Sequence, residues 1–279
     1  YEVQQEPLLN EALSLEFTPY KIIAVDEVKQ TVTVSCYISL RWRDDNLRWN
    51  RSEFGGIDMF VINSTDLWTP SIYLPRSDGH GLRLDRTDHL TIKTQRFMNV
   101  VSTFLFQFTV FCELDLSMYP FDFQTCEITF SQMHGYKLSS VESKEYDFQL
   151  AQKLQTSGEW AIISWNASRS WWQGDLHFLA YVIKIERHST YYVANLLTPI
   201  CLTAVMTLLV FWIPAESGEK MSFLVSMFVS TSVFLYTIND VMPRSINTLP
   251  TINIVVVAVS FEMFLAAIAT LVSLRRHSR

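Results

Sequence analysis

The 279 residues are 49% hydrophobic and 18% charged with a net charge of -6, an average that hides a partition. Residues 1–188 carry 17 Lys/Arg and 24 Asp/Glu, a net of -7, whereas residues 189–279 carry 5 and 4, a net of +1. Basic residues cluster only at Arg275-Arg276-His277-Ser278-Arg279, which argues against a nucleic-acid binder, and the apolar second part argues against a soluble cytosolic enzyme.

The first part is long enough to bury its own core. Residues 6–15 have helical spacing and predict a short N-terminal helix. Beyond them, β-rich runs between turn signals predict strands at 21–25, 31–42, 90–93, 100–112, 125–130, 160–165 and 177–186. With no βαβ rhythm and no glycine-rich phosphate loop, an antiparallel β-sandwich is expected. The sequons at Asn50, Asn63 and Asn166 all fall in this part and mark it as an extracellular glycoprotein domain. His80, His89, His134 and His177 show no metal spacing, and neither HExxH nor GxSxG occurs, so no metal, no cofactor and no catalytic residue is expected.

Four cysteines occur. Cys201 lies in an apolar run, and Cys36 lies in a predicted strand and is expected buried and free. Cys112 and Cys126 remain as a pair that an oxidising exterior permits to bond. The loop they bracket holds Leu114, Leu116, Tyr119 and Phe121, an apolar set suited to pressing on a membrane helix end.

Three runs in the second part are long enough to span a bilayer: 191–212 and 221–238 without a charge, and 252–274 with Glu262 alone. None is N-terminal with a cleavage site, so the chain reads as beginning at a mature terminus, with the first 188 residues as one domain. Basic residues after the third run place that end in the cytoplasm and residues 1–188 outside a plasma membrane. Pro199 predicts a kink, and Glu262 is either a functional acid or a partner for a neighbouring helix. Within the middle run, Glu219, Ser222, Ser226, Val229, Val233, Tyr236 and Asp240 fall on one helical stripe. Such a stripe suits either a ring of copies around a water-filled cation path or a helix buried in a bundle with its hydroxyls bonded back to its own carbonyls.

The thirteen residues between Cys112 and Cys126, with Tyr119-Pro120-Phe121-Asp122 inside them, resemble the signature of the Cys-loop receptors, the pentameric ligand-gated ion channels. Trp68-Thr69-Pro70, Gly158-Glu159-Trp160, Arg187, Leu197-Thr198-Pro199 and Ser217-Gly218-Glu219-Lys220 follow in the family's order, most like its nicotinic acetylcholine and serotonin type 3 branch. The resemblance implies an extracellular β-sandwich followed by a transmembrane α-helical bundle. It further implies a pentamer with four further subunits, here a homopentamer, with an agonist site between subunits and a cation pore lined by the second membrane helix. The family's usual fourth membrane helix and cytoplasmic loop are not represented, and an unknown small-molecule agonist, permeating monovalent cations and membrane lipid are the expected partners. Coupling between agonist and gate falls, by resemblance, on Glu27, Tyr119, Pro120, Phe121, Asp122 and Arg187, and on Pro243 with the segment 244–250.

The agonist face departs from the family's pattern. The position of the central tryptophan falls on Met133, and the adjacent-cysteine tip is replaced by the short segment 168–175. Tyr37, Tyr73, Arg96, Tyr136, Trp171 and Trp172 are left as candidates around the cleft. An ammonium ion is held by ring faces, so this incomplete box disfavours acetylcholine and serotonin. The family's usual mid-helix leucine is Val229 here, which predicts a leaky gate with Tyr236 as an upper constriction.

Overall fold

The computed structural model describes the chain apart from residues 1–11, 45, 48, 51, 58, 76–81, 84–88, 94–98, 133–135, 142–157, 215–218, 242–249 and 278–279. It divides into two compact units: the first holds Tyr1–Asp26, Gln30–Glu113 and Gln124–Glu186, the second Glu27–Lys29, Leu114–Phe123 and Arg187–Arg279.

The first unit is built of β1 (Leu13–Asp26), β2 (Thr31–Arg43), β3 (Met59–Asn63), β4 (Ile72–Leu74), β5 (Leu82–Arg83), β6 (His89–Lys93), β7 (Asn99–Phe111), β8 (Phe123–Gln132), β9 (Leu138–Ser140), β10 (Trp160–Gln173) and β11 (Leu176–Arg187). One six-stranded sheet runs β3-β6-β7-β2-β1-β9 and one five-stranded sheet runs β10-β11-β8-β4-β5. β2 is long, alternating and β-branched, and it lies between β1 and β7, antiparallel to both. In β11, His177, Leu179, Tyr181, Ile183 and Ile185 turn inward at a period of two. Phe17 of β1 and Phe108 of β7 meet Phe130 of β8 and Tyr181 of β11, with ring centroids from 5.3 to 6.5 Å. The Tyr181 hydroxyl donates to the Leu15 carbonyl at 2.7 Å, so side chains of the two sheets share one core. Burial, and then Glu16, pushes that phenol's pKa up, which keeps it a donor.

The predicted N-terminal helix ends differently. Leu13 and Leu15 belong to β1, are fully buried, and pair with Leu138 and Ser140 of β9 in parallel, while residues 1–11 lie outside the described residues. The same leucines satisfy a helical or a two-residue spacing, and the buried partner surface selects the strand. Cys36 is buried in β2, free, with its thiol pushed up by burial, whereas Cys201 is exposed. Cys112 and Cys126 are joined as a disulfide. Closing a loop of 14 residues stabilises by about 3 kcal/mol through lost unfolded-state entropy. The Cys112→Ser/Cys126→Ser variant should therefore unfold at least several degrees below the parent in a thermal melt; equal melting temperatures would refute the contribution.

His177 is almost fully buried, and its Nδ1 accepts from the Leu138 N–H at 3.0 Å. Burial, and then Lys137, lowers its pKa below the ordinary 6.5. A proton on Nδ1 would remove the acceptor, so the folded state takes one up less readily than the unfolded state. Stability from this group is complete above about pH 6.5 and is lost as pH falls toward the lower folded value. Melting temperature should drop more steeply between pH 7.5 and 5.5 in the wild type than in His177→Gln, and parallel slopes would sink the assignment.

The helices of the second unit are α1 (Thr190–Trp212), α2 (Lys220–Val241) and α3 (Thr251–His277), three helices long and apolar enough to cross a membrane by length and composition. In α1 the turn Val193–Leu197 widens to π geometry just before Pro199, and the Thr198 hydroxyl donates to the Val193 carbonyl at 2.8 Å. Proline has no N–H to donate and its ring crowds the preceding turn, so the helix loosens there. Ile200, Ile238, Ile252, Val256, Val259 and Met263 form the main apolar cluster among the helices, and Val210, Leu224 and Ala266 form a second. Glu262 is half-buried on α3 beside buried Met263.

Candidate functional site

Arg187 stands where β11 ends, three residues before α1 begins. Its side chain is 0% exposed, and Asp122 beside it is 1% exposed. Arg187 Nε donates to Asp122 Oδ1 at 2.8 Å and one terminal nitrogen to Oδ2 at 3.3 Å, a two-pronged match of guanidinium to carboxylate. The same terminal nitrogen donates to Glu27 Oε1 at 3.0 Å, and the Arg187 N–H donates to the Asp122 carbonyl at 3.3 Å. Tyr119 and Tyr192 lie under the guanidinium at 4.8 and 5.4 Å, with their own rings edge-on at 5.3 Å. Burial works against the arginine charge, but the hydrogen bonds and charge of Asp122, then of Glu27, outweigh it and raise the Arg187 pKa. Tyr119 is pushed up chiefly by burial and then by Tyr192. The result is one permanent cation holding three segments far apart in sequence: Glu27–Lys29, Leu114–Phe123 and the start of α1.

The loop Leu114–Phe123 has a second anchor. The Ser117 carbonyl accepts from both the Thr251 N–H at 2.9 Å and the Thr251 hydroxyl at 2.8 Å, at the first turn of α3. Ser117 is itself held, its N–H donating to Asp115 Oδ1 at 3.0 Å, a bond that lowers the Asp115 pKa. Leu116 and Tyr119 are buried against Ile200, Ile238, Ile252 and Val256, whereas Phe121 is half exposed and Pro120 is buried. Sequence reading missed Tyr192, Ser117 and Thr251. The adjacent phenols Tyr191 and Tyr192 at the head of the first apolar run, four and five residues after Arg187, were the available signal for Tyr192; a carbonyl acceptor such as that of Ser117 leaves none.

On α2, Lys220, Leu224, Thr231 and Ile238 are buried, at steps of 4, 7 and 7 along one face. Ser222, Ser226, Val229, Val233 and Tyr236 lie on the opposite face and are exposed, Tyr236 by 73%, and Glu219 immediately before the helix is exposed too. Hydroxyls on this helix bond backward: Ser226 donates to the Ser222 carbonyl at 2.9 Å, Ser230 to that of Ser226 at 3.0 Å and Thr237 to that of Val233 at 3.0 Å. The two sequence alternatives thus meet in one helix, whose hydroxyls are back-bonded while the stripe itself is exposed in the single chain.

The described candidates for the agonist face lie in the first unit, and several rest on aromatic neighbours. Tyr37 of β2 rests on Tyr20 at 5.1 Å. Tyr136 sits edge-on to Trp68 at 6.0 Å, and Trp68 in turn to Trp42 at 6.3 Å. Tyr73 of β4 pairs with Ser131 and Arg83. Trp171 is stacked on Phe178 at 5.2 Å, and Trp172 meets His177 edge-on at 4.6 Å. Asn50, Asn63 and Asn166 are exposed. Arg96, Met133 and Pro243 and the Asp240 side chain lie outside the described residues, and among those described no His/Cys/Asp/Glu group could hold a metal ion.

Residues 1–189 match the neurotransmitter-gated ion-channel ligand binding domain, and residues 196–278 match the neurotransmitter-gated ion-channel transmembrane region. The chain belongs to the neurotransmitter-gated ion-channel family, and it is a membrane protein with an extracellular N-terminal domain. It is 27% identical to the acetylcholine receptor subunit delta of Xenopus laevis over 93% of this chain and 52% of that protein. It is 28% identical to the human neuronal acetylcholine receptor subunit alpha-5 over 97% of this chain and 58% of the relative. With the acetylcholine receptor subunit alpha of Danio rerio the identity is 29%, over 93% and 58%. The chain thus spans little more than half the length of these curated relatives.

Proposed function

We propose that this chain is a subunit of a pentameric, cation-selective ligand-gated channel, with extracellular ligand binding coupled through the Arg187 cluster to a pore lined by α2. The carrying observation is the exposed stripe of α2 set opposite its packed face, with Glu219 at one end. A stripe of an acid, two serines and two valines is costly against lipid and suited to water. Because Ser226 donates its proton to the Ser222 carbonyl, the oxygen lone pairs are what it offers outward, and these suit a cation rather than an anion. Five copies would ring Glu219 around the axis beneath acidic outer domains and raise the local cation concentration. The aliphatic pair Val229 and Val233 is the dewetting barrier in this reading, and the sequons Asn50, Asn63 and Asn166 are glycan acceptors on the outer domain.

The test is voltage-clamp recording from cells expressing the full-length subunit, alone, with a panel of small amines, amino acids and acid pulses. Val229→Ser should give or enlarge a resting current, since a hydroxyl wets the constriction, and its reversal potential should follow sodium rather than chloride. A chloride-following reversal potential would overturn cation selectivity, and silence of wild type and Val229→Ser despite surface expression would overturn the autonomous pore. The second reading, an accessory or atypically gated subunit not opened by acetylcholine or serotonin, is favoured by the methionine, Met133, that stands at the position of the family's central tryptophan.

A further inference from the structure

The hairpin of β10 and β11 closes at Gly174, whose φ of 61° is the left-handed turn conformation. Arg169 and Trp171 are two residues apart on β10 and therefore share a face. Phe178 of the neighbouring β11 lies parallel to the Trp171 indole, with 10° between the rings. The Arg169 guanidinium lies over the same indole, 4.6 Å from its centroid. It is held there by Glu127 of β8, two strands away, whose carboxylate accepts from it at 2.8 Å. Ring, cation and counter-ion are the elements of an ammonium site, and the chain supplies all three itself.

We propose that Arg169 is a tethered cation that occupies the aromatic position on this hairpin and so competes with free ammonium ligands for Trp171. The inference rests on the reading of Trp171 as part of the ligand face. Phe178 and the guanidinium both lie against the indole, so a second cation has to displace Arg169 to reach the ring where the guanidinium sits. The latch is built to be displaced rather than permanent. Arg169 is 62% exposed and Glu127 28%, so both contacts are solvent-screened, and each is worth a factor of about two to five. Arg169 is thereby a specificity determinant: it sets which ligands can reach the ring without touching the gate.

The test is intrinsic fluorescence of the purified full-length receptor titrated with tetramethylammonium chloride against a sodium chloride control. Wild type should show only weak quenching. Arg169→Gln should bind tetramethylammonium about fivefold more tightly. Arg169→Lys, which keeps a cation, should stay close to wild type. Adding Trp171→Leu to Arg169→Gln should abolish the gain, and matching elution volume and melting temperature establish that all variants are folded. Equal titrations of wild type and Arg169→Gln, or a gain that survives Trp171→Leu, would overturn the proposal. Because the readout is binding, it decides this question even where no current is recorded and the channel reading itself fails.

Discussion

Asp122→Ala is expected to destabilise the protein by about 3 kcal/mol and to remove most of it from the cell surface. The cause is the buried Arg187 guanidinium, which would lose both prongs of its carboxylate partner and keep one bond to Glu27. Breaking a buried ion pair on one side costs about 3–5 kcal/mol, and the surviving Glu27 contact puts this case at the low end. Glu27→Gln should cost about 1–2 kcal/mol, because a neutral amide still accepts from the guanidinium. The informative variant is the double exchange Asp122→Leu with Arg187→Met. An apolar pair of similar size escapes the desolvation cost, so melting temperature should return close to wild type. Current should not return, because the link from Glu27–Lys29 and Leu114–Phe123 to α1 is then gone. Recovery of ligand- or Val229→Ser-driven current in the double variant would show that the cluster serves stability alone.

In the proposed cation pore, Glu219→Gln is expected to lower cation conductance about fivefold while leaving expression unchanged. One carboxylate roughly 8 Å from an ion contributes about 0.5 kcal/mol in bulk dielectric, and five of them, after screening at physiological salt, about 1 kcal/mol. That figure corresponds to about a fivefold change in ion occupancy at the mouth. Glu219→Lys should go further and shift the reversal potential toward chloride. The side chain is exposed, which leaves folding largely untouched. Single-channel conductance in symmetrical sodium chloride measures the effect, and an unchanged conductance in Glu219→Gln would remove α2's end from the ion path.

Hydropathy and alternation carried most of the fold. Membrane runs are a property of composition, so 191–212, 221–238 and 252–274 needed no partner to be read, and the helices at Thr190–Trp212, Lys220–Val241 and Thr251–His277 contain them. The long strands β2, β7 and β11 were legible for the same reason: a dozen residues show a two-residue period. β4, β5 and β9 are two or three residues long and show none, so only their neighbours in the sheets define them. Leu13 and Leu15 were ambiguous until the β1–β9 and β1–β2 pairings chose the strand.

By itself, then, the sequence determined the two solvents, the order of the long elements, the loop between Cys112 and Cys126, and the face of α2 that bears the polar stripe. Tertiary structure alone decided which charges meet. Arg187 finds Asp122 from 65 residues away and Glu27 from 160, and Thr251 reaches Ser117 across 134. It also placed Arg169 on Trp171 and Glu127, joining β10 to β8 across β11. The physical reason is range: periodicity records which side of an element is wet, whereas an ion pair or a carbonyl acceptor depends on two segments brought together by the rest of the fold.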